Sequence, residues 1–228
     1  MTILDDIPVT LELRHIKHRL GVREETGLER VQNLLERAKP LISPRALYRV
    51  CYIEKRPADG LLINGRPFKS RVLHKNCKGV KRVFPFVVTI GGDLESSVEA
   101  CTDLVDKYYL DRIGTVALGM ARTSLERHLQ SIYALGGMSH MNPGSLADWP
   151  IEEQRPLFAL LGDTEKAIGV RLGENLFMTP KKSVSGIFFP TEVRFESCQL
   201  CPRDRCEGRR AAYSETLARQ YGIIGEDQ

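Results

Sequence analysis

The sequence has no long apolar run. Its longest apolar stretches, such as FVVTI at 86–90, are far shorter than the roughly 18 residues that a membrane-spanning helix needs. The first ten residues, MTILDDIPVT, carry acidic side chains where a secretory signal would carry basic ones. These absences predict a cytoplasmic protein without a membrane segment.

Aromatic residues and excess charge are also scarce. Aromatic side chains make up 7% of the 228 residues, and the net charge is only +4. The basic residues are scattered and do not alternate with aromatic ones, as a surface that stacks nucleic-acid bases would require. No nucleic-acid partner is therefore predicted. The hydrophobic share of 42% is ordinary for a globular protein with a buried core.

Helical and strand patterns alternate without a regular strand–helix–strand rhythm. This order predicts an α+β fold with a mainly antiparallel, twisted sheet and flanking helices. Residues 1–44 are expected to form an N-terminal segment packed on a main domain of residues 45–228. The expected helices cover 28–41, 93–108, 110–133, 151–162 and 211–222, and the expected strands cover 46–56, 61–68, 82–92, 170–178 and 184–197.

Two local expectations follow from turn residues. Residues 136–149, GGMSHMNPGSLADW, are rich in Gly, Ser, Asn and Pro, and are expected to form a long loop of the kind that is often functional. The short connection TPKK at 179–182 predicts that strands 170–178 and 184–197 pair as a hairpin.

Half of the six cysteines fall within nine residues of the segment ESCQLCPRDRCEGRR at 196–210. Cys198, Cys201 and Cys206 have the spacing C-x2-C-x4-C, which predicts a metal site completed by a ligand from elsewhere. An iron–sulfur cluster is favoured over zinc, because a closed zinc site more often shows two CxxC pairs. A redox thiol pair and an unligated thiol patch stay open as alternatives. The dispersed cysteines are expected to pack as small apolar groups; they are Cys51, Cys77 and Cys101.

The segment IGVRLGENLFMTPKKSVSGIFF at 168–189 resembles a pattern from a known family. The reactivation domain of cobalamin-dependent methionine synthase carries IGMxLTExFAMxPxxSVSGWYF. The residues that match in register are Leu172, Glu174, Met178, Pro180, Ser183, Val184, Ser185 and Gly186. The chain also resembles stand-alone members of this family, which are about this size and end in a similar cysteine and arginine run.

The resemblance implies a set of residues for binding S-adenosylmethionine. The family's loop motif R-x-x-x-G-Y falls on His140, Gly144 and Ser145, so that histidine replaces the arginine and serine the tyrosine. Two adjacent tyrosines of the family fall near Arg194 and Phe195. The strand residues Ser183 and Ser185 would line the same groove. These substitutions predict that the methyl donor binds more weakly or differently than in the family.

The resemblance implies a function as well. Reactivation returns inactive cob(II)alamin, carried by a corrinoid methionine synthase or related methyltransferase, to methylcobalamin, using S-adenosylmethionine and a low-potential electron donor. Under this hypothesis the three thiols hold a cluster that passes on the electron. Two alternatives do not involve a methyl donor: a small iron–sulfur electron carrier, and a metal-stapled module that docks on a corrinoid protein. The sequence assigns no catalytic residue.

Overall fold

The computed structural model describes residues 1–20, 25–206 and 208–224. The helices are α1 (Leu13–Leu20), α2 (Glu25–Ala38), α3 (Arg71–Asn76), α4 (Asp93–Ala100), α5 (Leu104–Tyr133), α6 (Gln154–Leu161), α7 (Thr164–Ile168) and α8 (Glu215–Tyr221). The strands are β1 (Thr2–Leu4), β2 (Arg45–Tyr48), β3 (Cys51–Lys55), β4 (Gly60–Ile63), β5 (Arg66–Lys69), β6 (Arg82–Thr89), β7 (Met138–Met141), β8 (Arg171–Leu172), β9 (Met178–Thr179) and β10 (Ser183–Pro190).

The main sheet is antiparallel and is organised around β6. One edge of β6 pairs with β10, and β10 pairs in turn with β7. The other edge of β6 pairs with β3 at Arg82 and Val83 and, further along the strand, with β2 at residues 86–89. Strand β1 extends the sheet beyond β2, while β4 and β5 extend it beyond β3. The predicted α+β fold with a mainly antiparallel sheet is confirmed.

Both faces of the sheet are covered, which explains why most residues of β6 and β10 are buried. The side chains of Phe84, Phe86 and Phe188 pack toward α1, α2 and α5. The alternate side chains of Val87 and Ile187 pack toward α3, α6 and α8. Each strand therefore contributes to two cores at once.

The N-terminal segment of residues 1–44 packs on the rest of the chain. Strand β1 pairs with β2, with Thr2 opposite Tyr48. Helix α2 lies against α5, and the Arg30 guanidinium reaches Asp103 and Asp106, each at 2.6 Å. The boundary at residue 44 stays a prediction.

The prediction of one helix over 93–108 is wrong. Helix α4 ends at Ala100, and α5 begins anew at Leu104. Asp103 is the N-cap of α5, because its carboxylate accepts hydrogen bonds from the backbone N–H groups of Val105 (2.9 Å) and Asp106 (3.0 Å). Helix α4 itself begins at Asp93, directly after its N-cap residue Gly92.

The predicted hairpin of 170–178 and 184–197 is also wrong. The short strand β8 pairs with β9, and these two form a separate small sheet. Strand β10 belongs to the main sheet, where it pairs with β6. Between β6 and β7 the side chains of Ile187, Phe188 and Phe189 are fully buried, and this burial favours the distant pairing.

Among the residues that the structure describes, no helix is both long and apolar enough to cross a membrane.

Candidate functional site

The segment expected to be one long loop begins as a strand. Met138–Met141 form β7, which pairs with β10 so that His140 lies opposite Phe188. The true loop, 142–149, starts at Asn142, whose Nδ2 donates to the carbonyl oxygen of Ser185 at 2.5 Å. The loop is thereby fixed to the main sheet at its first residue.

A tight turn shapes the middle of this loop. Gly144 has a φ of +80°, a conformation that favours glycine, and its N–H donates to the carbonyl oxygen of Trp149 at 2.8 Å. Ser145 donates its N–H to the carbonyl oxygen of Asn142 at 3.1 Å, and its hydroxyl lies 3.4 Å from that of Ser197. Gly144 and Ser145 are exposed, so this turn is open to a ligand.

Two buried residues anchor the end of the loop. Trp149 is fully buried in the core beneath α6. The Asp148 carboxylate accepts hydrogen bonds from the Ser70 hydroxyl at 2.6 Å and from the N–H of Val72 at 2.9 Å, and so caps the first turn of α3. The loop is thus positioned by the sheet at one end and by the core and α3 at the other.

We expect Asp148→Ala to lower the free energy of unfolding by about 1–3 kcal/mol, because buried donors at the start of α3 lose their acceptor. Urea unfolding followed by circular dichroism measures the change. Asp148→Asn is the matched control: it keeps one acceptor oxygen and should cost less. If both variants unfold like the wild type, the carboxylate does not hold the loop to α3.

His140 lies on the face of the sheet that is turned toward α5 and is almost completely buried. Its Nε2 lies 2.7 Å from Nη1 of Arg122. A guanidinium nitrogen can only donate, so Nε2 accepts and the proton resides on Nδ1. Burial, together with the nearby Arg122 guanidinium, lowers the pKa of His140 well below its usual value. His140 is therefore a neutral acceptor that orients Arg122.

This lowered pKa predicts acid sensitivity. The unfolded chain takes up a proton at His140 near pH 6.5, whereas the folded chain does not. The contribution of His140 to stability is therefore complete above that pH and declines as the pH falls below it. The slope is at most about 1.4 kcal/mol per pH unit.

Urea unfolding between pH 5.5 and 8 tests this dependence. His140→Gln keeps an acceptor for Arg122 and does not titrate, so the variant should lose that part of the slope. Equal slopes for the variant and the wild type would mean that His140 titrates normally in the folded protein.

Arg122 and His140 belong to a larger charged cluster between α5, β7 and the segment that follows β10. We define the charged cluster as Arg122, Glu126, His140, Arg194, Glu196 and Arg210. Glu196 binds Arg194 at 3.1 Å and Arg210 at 2.8 Å. Arg194 also lies 3.6 Å from the buried Glu126. The cluster holds three guanidinium groups against two carboxylates.

Burial dominates the electrostatics at the two cluster residues of α5. It lowers the pKa of Arg122 to about 10, in spite of the carboxylates nearby. It raises the pKa of Glu126, although Arg194 and Arg122 oppose the shift. Burial therefore destabilises the charged form of both groups, and their ion-pair partners offset this only in part.

The predicted ligand residues do not all share one surface. The hydroxyl of Ser145 contacts that of Ser197, whereas Arg194 belongs to the charged cluster. Phe195 is buried against Tyr221, with ring centroids 5.6 Å apart, and its N–H donates to Ser139. Its side chain serves the core.

The two predicted strand serines lie toward the other end of β10. Ser183 is buried; its hydroxyl donates to the carbonyl oxygen of Pro180 at 2.7 Å, and its oxygen lies 3.0 Å from Thr89 Oγ1. Along the strand, Ser183 lies five residues, or roughly 16 Å, from Phe188, the residue that pairs with His140. Ser185 is buried on the face opposite to His140, because alternate strand residues point to opposite faces.

The cysteine segment is folded around an arginine. The Arg209 guanidinium donates to the backbone carbonyls of Cys198, Cys201 and Ala211, each at 3.2 Å, and also to that of Arg203. Four carbonyl oxygens thus converge on one cation, which accounts for part of the positive charge in this segment.

The three thiols do not come together in the structure. Cys201 packs against the core, whereas Cys206 is exposed and Cys198 receives the N–H of Arg210 at 3.5 Å. In residues 1–20, 25–206 and 208–224, no group of three His, Cys, Asp or Glu side chains is placed to hold a metal ion. The predicted metal site therefore lacks a fitting arrangement, and no chemical step is derived through a metal or cluster.

The sequence reading missed Arg122 and Glu126. Both lie on the long helix α5 among buried apolar neighbours such as Ala121 and Leu125. One signal in the sequence could have indicated them. They are two charged residues, four positions apart, and each directly follows an apolar residue of the buried helix face. A solvated helix face would have placed them on the opposite side.

Comparison with known proteins bears on this arrangement. No protein-family model matches the sequence, and no curated protein matches it. In three dimensions the chain is similar to a crystal structure of the MetH reactivation domain bound to AdoHcy. The similarity covers 86% of this chain and 81% of that one, with a TM-score of 0.55 and 16% sequence identity.

The chain has the fold of the MetH reactivation domain. The resemblance of residues 168–189 to the reactivation domain is thereby confirmed at the level of fold. At this identity the MetH similarity concerns architecture, and the ligand residues of this chain have to be argued from its own contacts.

Proposed function

We propose that this chain reactivates a corrinoid-dependent methionine synthase or a related methyltransferase. The observation that carries the proposal is the fold shared with a MetH reactivation domain that binds AdoHcy, the product left when S-adenosylmethionine gives up its methyl group. The exposed turn at Gly144 and Ser145 supports it, since the family motif falls on this segment and Ser145 contacts Ser197, the residue that follows Glu196 of the charged cluster.

The residues present fit such a ligand. The turn at Gly144 is exposed and held by backbone hydrogen bonds. The charged cluster has a donor and an acceptor without partners among the described residues: Arg122 Nε and Glu126 Oε2. Polar atoms of that kind are costly to bury unless something binds them.

The proposed overall reaction balances. Cob(II)alamin on the partner accepts one electron from an external low-potential donor and the methyl group of S-adenosylmethionine, which yields methylcobalamin and AdoHcy. The methyl donor supplies the group that is transferred. The residues of this chain hold the donor at the loop of 142–149 and exclude water, so that the reacting atoms are kept in position.

The test is an oxygen-free mixture of this chain, a corrinoid methionine synthase in the cob(II) state, a low-potential chemical reductant and S-adenosylmethionine. Visible absorption follows the cobalt. We expect methylcobalamin to form only when both the chain and the methyl donor are present. If it forms at the same rate without the chain, the proposal is wrong. Stable binding to the partner without any conversion would support the docking-module alternative.

A further inference from the structure

Two buried polar atoms on α5 have no hydrogen-bond partner among the described residues. They are Nε of Arg122, a donor, and Oε2 of Glu126, an acceptor. Glu126 is 5% exposed. Native proteins leave few such atoms unpaired, so an unpaired donor beside an unpaired acceptor calls for an explanation.

The spacing of the two residues places them side by side. Residues four apart on a helix are neighbours on one face, with Cβ atoms about 5–6 Å apart. One end of this pair offers a cation with a free N–H, and the other offers a carboxylate with a free oxygen. A ligand group that satisfies both must carry an anionic acceptor and a cationic donor about one helical turn apart or less.

An α-amino acid group has this composition. Its carboxylate accepts hydrogen bonds from a guanidinium, and its ammonium donates to a carboxylate. We infer that Arg122 and Glu126 form the subsite for the amino-acid end of the methyl donor, with Arg122 binding the carboxylate and Glu126 the ammonium. The inference rests on the proposed function and specifies how that ligand is held.

The neighbouring residues prepare this subsite. His140 occupies one N–H of Arg122 at 2.7 Å and, being neutral, adds no competing negative charge. The guanidinium is therefore oriented while part of its donor capacity stays unused. Within the part of the chain that the structure describes, Glu126 Oε1 has a single ion-pair contact, the long one of 3.6 Å with Arg194.

Arg194 provides the route of entry. Its side chain is 59% exposed and is held by Glu196 at 3.1 Å, so it covers Glu126 without being part of the core. It can turn toward solvent and uncover the carboxylate, while Glu196 stays paired with Arg210 at 2.8 Å. Glu196 is followed in the chain by Ser197, whose hydroxyl lies 3.4 Å from that of Ser145 in the turn.

Binding of two nucleosides distinguishes the contribution of this subsite from that of the rest of the binding site. AdoHcy carries the amino-acid group, and 5′-methylthioadenosine lacks it but keeps the adenosine and the thioether. Isothermal titration calorimetry of both compounds is applied to the wild-type chain and to Arg122→Met, Glu126→Gln and Arg127→Met. Arg127 is the matched control, because it lies exposed on the same helix.

The wild type should bind AdoHcy at least roughly tenfold more tightly than methylthioadenosine, as expected when charge-assisted hydrogen bonds are formed. Arg122→Met and Glu126→Gln should each weaken AdoHcy binding by about tenfold or more and leave methylthioadenosine binding unchanged. Arg127→Met should behave like the wild type with both compounds.

Other results overturn specific parts of the account. If AdoHcy binds and neither variant weakens it, the two orphaned atoms are satisfied by water alone and the subsite is wrong. If neither nucleoside binds the wild type, the proposed function itself fails. Arg122→Lys, which keeps the charge but not the guanidinium fork, serves if Arg122→Met does not fold, as judged by circular dichroism; it too should lose affinity for AdoHcy only.

Discussion

Gly186→Ala should abolish ligand binding and destabilise the protein, because it forces β7 away from β10. A Cβ at this position would meet the carbonyl oxygen of Met141, and it would also lie 2.7 Å from Nδ2 of Asn142 and 3.0 Å from Cε1 of Phe86. The carbonyl belongs to the paired backbone and cannot turn aside. Overpacking of this kind costs about 1–3 kcal/mol, and a backbone clash lies at the upper end or beyond.

Gly119→Ala provides the matched control. Gly119 lies within α5, and a Cβ there meets nothing within 4 Å. Alanine should therefore stabilise the helix by about 0.4–1 kcal/mol and leave binding intact. Urea unfolding and AdoHcy titration are measured on both variants. A Gly186→Ala variant with wild-type stability and affinity would show that β7 and the loop do not depend on this close approach.

Trp149→Ala should lower the free energy of unfolding by about 3–5 kcal/mol, the usual range for deleting a buried tryptophan side chain. Trp149 is fully buried, and its carbonyl oxygen accepts the N–H of Gly144 at 2.8 Å. Deleting the side chain removes the core packing that holds the backbone of residue 149 in place, so the turn that bonds to its carbonyl oxygen should loosen and AdoHcy binding should fall as well.

Unfolding of this variant is best followed by circular dichroism, because Trp149 is the one tryptophan of the sequence. Trp149→Phe keeps an aromatic ring in the pocket and should cost less than the alanine variant. A loss below about 1 kcal/mol for Trp149→Ala, as expected of a surface position, would contradict the role of an anchor.

Local sequence patterns were sufficient for elements whose signals are local. The apolar spacing of 28–41 predicted α2, and the continuous apolar run at 82–92 predicted the buried strand β6. Pairing between distant segments left no such signal. Ser183 pairs with Thr89, which lies 94 residues earlier in the chain, and the short TPKK connection suggested a local hairpin instead.

Predictions for the site divide in the same way between local signals and contacts with other parts of the fold. The loop motif led to Gly144 and Ser145, whose turn conformation can be read from their residue types. Residues Met138–Met141 were predicted as part of a loop because Ser139 and His140 are polar. In the structure both side chains are buried within a strand. They are accommodated because Ser139 receives the N–H of Phe195 and His140 that of Arg122. Phe195 and Arg122 belong to other elements of the fold, so no local pattern around residues 138–141 indicates these partners.

Hydrogen–deuterium exchange with and without AdoHcy tests the central claim most directly, because it shows where on the fold the nucleoside binds. The account predicts slower exchange at 138–149, at 194–200 and around Arg122 on α5, with other described segments unchanged. Protection confined to another part of the sheet, or no protection at saturating AdoHcy, would contradict it.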